Sequence, residues 1–203
     1  MITQRFNTDL KWRNGWPPNH YMYGFFQLLE FLECNIDHVF DHNQQLFGAP
    51  QSNNKMIEIG SYMGESTLMF ASTGIFKNIH CIDPLKGTEK MNEEYGYNWD
   101  EVKHEFEINL RYFDNITLHE DYSYNVVDEF EDNSFDFIYI DASHTYEDTK
   151  KDIELYLPKV KKGGIIGGHD YQQDEFPGVK KSVLELVGKP DEVFRDYSWV
   201  KKL

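Results

Sequence analysis

From Lys55 onward, short apolar runs alternate with amphipathic stretches, and few folds accommodate that alternation. "KMIEIG" reads as a strand and "ESTLMFAST" as a helix. "NIHCID" is a second strand, followed by a loop and the helical "WDEVKHEFEINLRYF". "NITLHED" and the short helix "YNVVDEFE" come next, then "FDFIYID" with "TYEDTKKDIELYL", and "KKGGIIGGHD" with "GVKKSVLELVG". Strands joined through helices predict an α/β fold, a doubly wound and mostly parallel sheet covered on both faces. "DEVFRD" and "SWVKKL" read as a terminal strand pair that adds an antiparallel strand.

The first fifty residues have another character. Trp12, Trp16 and the Pro17-Pro18 stop mark an irregular arm. Tyr21, Met22, Phe25, Leu28, Leu29 and Leu32 then recur at helical spacing. Ile36, Val39, Phe40 and Leu46 or Phe47 predict a second helix, closed by Gly48 and Pro50. The expected division is residues 1–50 as an arm with helices, serving as a lid or oligomer contact, and residues 51–203 as the ligand-binding α/β domain.

Composition narrows the partners. A formal net charge of −15 argues against a surface built to neutralise phosphates, and so against nucleic acid. The two cysteines make neither a disulfide framework nor a metal knuckle, which suits a reducing compartment. The amino-terminal stretch lacks an apolar signal core and no run reaches membrane-spanning length. The expectation is a soluble, cytoplasmic protein without a membrane partner.

In parallel sheets, ligands bind beyond the carboxyl ends of the strands, so the strand tips are the place to look. The first tip runs Gly60-Ser61-Tyr62-Met63-Gly64 into a helix opening with Glu65, Ser66 and Thr67. Two glycines four apart let backbone approach a ligand, with amide donors at the helix start. The spacing is neither the dinucleotide G-x-G-x-x-G nor a P-loop. The second strand ends at Asp83, placed to accept hydrogen bonds from ribose hydroxyls. Together they point to a nucleoside-type ligand not bound through pyrophosphate.

The fourth strand ends at Asp141 and the fifth at His169-Asp170, on tips that converge in such a sheet. Two carboxylates and an imidazole suit a divalent cation: Mg²⁺ or Mn²⁺ from the oxygens, with Fe²⁺ and Zn²⁺ left open by the softer histidine. The other reading is that His169 and Asp170 cap the last helix. His144 lies just past Asp141, before the capping-box sequence Thr145-Tyr146-Glu147-Asp148. A histidine so placed is a candidate general base.

"IEIGSYMGEST", "HCID" and "FDFIYIDASHTYEDTKKDIELYLPKVKKGGIIGGHDY" resemble class I S-adenosylmethionine-dependent methyltransferases. More narrowly they are similar to the branch of metal-dependent macrocin- and mycinamicin-type sugar O-methyltransferases, over roughly Lys55 to the carboxyl terminus. The resemblance implies a Rossmann-like fold with S-adenosylmethionine held by Glu58, Gly60, Ser61, Gly64 and Ser66. It puts Asp83 on the ribose, Ser123 near the adenine and Asp141 beside the cofactor. Asp141, His169 and Asp170 fall on the positions of the divalent cation, and His144 on that of the base. The relatives usually carry a second acid where His169 stands and often glycine where Asp121 stands.

The implied reaction is metal-assisted O-methylation of a small hydroxylated acceptor, a sugar, polyol or catechol-like molecule, by a chain able to form a homo-oligomer. Trp12, Trp16, Tyr95, Tyr97 and Trp99 either stack on that acceptor or pack the arm against the domain or a second subunit. Two other functions share the architecture. A nicotinamide-dependent oxidoreductase requires a different glycine spacing. A catalytically silent S-adenosylmethionine-binding assembly protein has little need of Asp141, His144 and Asp170 together.

Overall fold

Alternation of side chains along each apolar run decides how the layers assemble. The computed structural model describes residues 21–36, 53–87, 96 and 98–203. Strands β1 (Lys55–Ile59), β2 (Asn78–Ile82), β3 (Ile116–His119), β4 (Phe135–Ile140) and β5 (Val160–Gly168) are parallel to one another. Strands β6 (Glu192–Val193) and β7 (Trp199–Lys202) complete a seven-stranded sheet of order β3-β2-β1-β4-β5-β7-β6. β7 runs antiparallel to both of its neighbours, as the terminal strand pair required.

The helices are α1 (Tyr21–Asn35), α2 (Glu65–Ser72), α3 (Trp99–Leu110), α4 (Ser123–Val126), α5 (Tyr146–Tyr156) and α6 (Pro177–Leu186). On one face, Met56, Ile79, Phe137 and Ile165 pack against Leu28 of α1, Phe70 of α2 and Phe106 of α3. Their strand neighbours Ile57, Ile82, Ile138 and Ile166 point the other way, into a layer with Val126 of α4, Ile153 of α5 and Val183 of α6. A residue shift of one in any strand would exchange the two layers, which is why the pattern specifies register so firmly.

The periodicity over residues 21–35 corresponds to α1, and that helix packs into the first of these layers. Leu28, Leu29 and Leu32 are completely buried, and the Phe25 ring meets those of Phe70 and Tyr139 at 5.1 and 6.2 Å. Burying leucines of this kind contributes roughly 1.5–3 kcal/mol each, the main reason the helix stays on the sheet. The arm, the second amino-terminal helix and the boundary near residue 50 fall outside the described residues, as do Tyr95 and Tyr97.

Gly24 sets how closely α1 can lie against the turn between β6 and β7. A Cβ there would stand 2.2 Å from the backbone nitrogen of Asp196 and 2.6 Å from its Oδ1. Gly→Ala inside a helix ordinarily gains about 1 kcal/mol, but this clash is with backbone and cannot be relieved by a rotamer change. Gly24→Ala is therefore expected to destabilise the fold by roughly 1–3 kcal/mol in urea unfolding. A stabilised variant would show that α1 is free to move off the sheet.

Candidate functional site

Hydrogen bonding of the sheet continues one residue past the strand ends. Gly60 N donates to Ile82 O at 2.9 Å, Asp141 N to Ile59 O at 2.8 Å and His169 N to Ile140 O at 3.1 Å. Asp83 N likewise donates to His119 O at 3.2 Å. Gly60, Asp83, Asp141 and His169 therefore stand in one row along the carboxyl edge. Only glycine fits the first of these places: a Cβ on Gly60 would lie 1.9 Å from Asp141 O, and its φ is 88°.

After Gly60 the chain turns sharply, with Tyr62 at φ 45° and Gly64 at φ 76° before α2 begins. Asp83 holds this turn, its Oδ2 accepting from Tyr62 N and its Oδ1 from Leu85 N, both at 2.8 Å. Burial lifts the Asp83 carboxyl above its ordinary value against the lowering effect of those amides. Helix α3 braces the turn from behind: Asn109 Nδ2 donates to Met63 O at 2.9 Å. Phe106 and Leu110 press on Gly64 closely enough that a Cβ there would meet each at 3.0 Å.

Glu58 lies beneath the turn, completely buried. Ser66 Oγ donates to its Oε1 at 2.5 Å and Thr67 Oγ1 to its Oε2. Burial pushes this carboxyl up to about 7, with the hydroxyls of Ser66, Thr67 and Ser61 opposing the shift. Ser61 is also buried under the turn. Of the residues expected to hold the cofactor, Glu58 and Ser66 are bonded to each other beneath the turn, Ser61 is buried beside them, and Gly60 and Gly64 lie in the turn that Asp83 holds. Ser123 stands at the start of α4, just beyond the carboxyl end of β3. Its Oγ donates to Asp152 Oδ1 at 2.5 Å, and its carbonyl accepts from Tyr156 Oη at 2.7 Å.

Three side chains meet at the β4 and β5 tips. His144 Nε2 is 3.1 Å from Asp141 Oδ1 and 3.1 Å from Asp170 Oδ2. Ligand atoms of Asp141, His144 and Asp170 all lie within 4.8 Å of one another, a group able to hold a metal ion. His144 at φ 59° and Asp170 at φ 62° both occupy the left-handed region. Strain of that kind collects at functional sites. The cation set expected from the sequence was Asp141, His169 and Asp170; the set that converges has His144 in place of His169. The backbone reversal at residue 144 brings the His144 ring back to Asp141, while His169 Nδ1 faces the second oxygen of Asp170 at 3.0 Å.

Charge orders this group. Burial alone would raise Asp141, but His169 and His144 hold it below its ordinary value. Burial would lower both imidazoles, yet the carboxylates of Asp141 and Asp170 raise them, His169 to about 9. Thr145 caps α5 as its motif predicted, with Oγ1 accepting from Asp148 N at 3.1 Å. Asp148 Oδ2 in turn accepts from Ser143 Oγ at 2.6 Å and fixes the loop that carries His144.

Three site-side residues escaped the sequence reading. Phe176 packs its ring 4.5 Å from that of His144. Asp152 and Tyr156 hold Ser123 from α5. The signal for Asp152 was present: Thr149, Asp152, Ile153 and Tyr156 form one buried helical stripe that contains a carboxylate.

Comparison with known proteins identifies the family and the fold. Residues 57–171 match the family model described as a methyltransferase domain. An uncharacterised protein of Acanthamoeba polyphaga mimivirus is 30% identical over 142 residues, covering 64% of this chain and 58% of that one. A probable caffeoyl-CoA O-methyltransferase of Dictyostelium discoideum is 32% identical over 116 residues, 55% of this chain and 41% of that one. The chain thus spans about half the length of these relatives. The O-methyltransferase NovP superposes with a TM-score of 0.59 at 15% identity, over 87% of this chain and 79% of its own, a likeness of fold. The chain belongs to the methyltransferase-domain family.

The Glu58 carboxyl gives the site a pH signature. Its value in the fold, about 7, lies above its ordinary 4.5, so the folded state favours the protonated form. The associated stability is complete below about pH 4.5 and is lost as pH rises through 7. Between pH 5 and 8 the wild type should lose up to roughly 3 kcal/mol that Glu58→Gln keeps. Urea unfolding of both proteins at the two pH values measures the difference; equal slopes would show that Glu58 is ionised in the fold.

Proposed function

We propose that this member of the methyltransferase-domain family transfers the methyl group of S-adenosylmethionine to a hydroxyl of a small acceptor, with His144 as general base. The observation that carries the reading is His144 Nε2 held 3.1 Å from two carboxylates, on the row of strand tips that includes the glycine turn and Asp83. A turn with left-handed Gly60, Tyr62 and Gly64, followed by an acid at the next tip, fits a nucleoside-bearing cofactor. When bound, S-adenosylmethionine supplies a methyl group already electrophilic on its sulfonium.

The chain's own task is then to present an oxygen in line and to remove its proton. Holding that alignment supplies up to about 7–11 kcal/mol in favourable cases. His144 takes the proton at Nδ1, while Asp141 and Asp170 accept from Nε2–H, orient the imidazole and stabilise the imidazolium. Phe176, packed on the His144 ring, limits the directions from which an acceptor reaches the imidazole. The donors of Asp141, His144 and Asp170 also fit a divalent cation such as Mg²⁺ or Mn²⁺. A cation there would lower the pKa of an acceptor hydroxyl and favour two neighbouring hydroxyls, as on a sugar or catechol.

S-adenosylmethionine should bind the wild type in calorimetry and bind Asp83→Ala at least about tenfold more weakly. His144→Ala should keep cofactor binding and lose roughly 10²–10⁴-fold in methyl transfer to a catechol or sugar diol. Mn²⁺ binding retained in that variant, read by paramagnetic resonance, assigns His144 as base; its loss assigns His144 as a ligand. A wild type that binds no S-adenosylmethionine, with or without Mg²⁺ or Mn²⁺, sinks the proposal.

A further inference from the structure

Three side chains of α5 close on the short turn α4. Besides the bonds from Asp152 and Tyr156 to Ser123, the Lys151 ammonium lies 3.6 Å from the centroid of the Tyr124 ring. Asp152 is 5% exposed and Tyr156 is fully buried, so their two bonds to Ser123 run from the interior, while Lys151 covers Tyr124 at the surface. The same helix starts at the loop bearing His144, where Thr145 and Ser143 are tied to Asp148. One rigid helix therefore carries the reacting loop at its first turn. About 10 Å further along, it carries the grip on the turn beyond β3.

The choice of a carboxylate is informative. A tie that only had to hold α4 in place would need no buried charge, and burying one carries a desolvation cost. Burial does lift Asp152 to about 6, against the bond from Ser123. What an ionised acceptor adds is a stronger, more directional bond to the serine hydroxyl. Tyr156 takes the carbonyl of the same residue, so both the side chain and the backbone of Ser123 are fixed from one helix.

We propose that Asp152 is a positioning residue for the cofactor. Acting through Ser123, with Tyr156 as its partner, it holds the α4 turn where the nucleoside end of S-adenosylmethionine binds, and sets that end in register with His144. The inference rests on the function proposed above and adds a residue outside the row of strand tips. Asp152 touches neither the cofactor's reacting atoms nor the acceptor; its effect passes entirely through the α4 turn.

The test titrates S-adenosylhomocysteine into wild type, Asp152→Ala, Asp152→Asn and Tyr156→Phe by calorimetry. Asp152→Ala should weaken binding about tenfold, and Asp152→Asn, which keeps an acceptor oxygen but loses the charge, should restore part of it. Rescue by the neutral isostere is a result that general loosening of the helix would not give. Should Asp152→Ala fail to fold, Tyr156→Phe removes only the hydroxyl on Ser123 and should weaken binding roughly threefold. Affinity within about twofold of wild type in every folded variant overturns the proposal, as does a loss that Asp152→Asn leaves uncorrected. A wild type that binds no S-adenosylhomocysteine is a different failure, of the methyltransferase reading itself.

Discussion

The rest of the molecule depends on the parallel ladder running in register to one residue beyond the strand ends. Ile59 pairs with both Ile82 and Ile140, and Ile140 with Gly168. The next residue of each strand is then flush with its neighbours, and three of those next residues are Gly60, Asp83 and Asp141. The spacing between strands is fixed by backbone hydrogen bonds at about 4.8 Å, so the site inherits its dimensions from the sheet. No loop has to find these positions by itself. The loops need only turn, and the left-handed residues Tyr62, Gly64, His144 and Asp170 are where they do so.

Several polar groups are buried around this edge. Glu58, Asp152, Asp170 and Ser61 are each at most 5% exposed. Glu58 and Asp152 answer the desolvation by holding their protons more tightly, to about 7 and about 6. Asp141 answers it by pairing with imidazoles and stays acidic. The same physical cost is therefore met in two ways, by tighter proton binding at Glu58 and Asp152 and by ion pairing at Asp141.

Much of the fold was legible because alternation is a local property. Strands β1 to β5 and β7 were readable as runs of four to nine residues, and α1 as the spacing of Leu28, Leu29 and Leu32. The glycine turn, Asp83, Asp141, His144 and Asp170 were legible because strand tips of a parallel sheet converge by topology. His169 and His144 were harder to sort, since which ring turns toward Asp141 depends on a backbone dihedral at residue 144. Asp152 was overlooked because its partner, Ser123, lies 29 positions away on another element. Among the described residues no helix is long and apolar enough to cross a membrane, in line with the absence of such a run in the sequence.

By itself the sequence determined the succession of elements, the two-faced sheet and the residues standing at its carboxyl edge. Those follow from hydrophobic periodicity, turn chemistry and chain topology, each of which acts over a few residues. Only the tertiary structure decided that α1 belongs to the core, that His144 joins Asp141 and Asp170, and that α5 grips the turn beyond β3. These are contacts between elements distant in sequence, chosen by how closely packed surfaces and buried charges can be satisfied together.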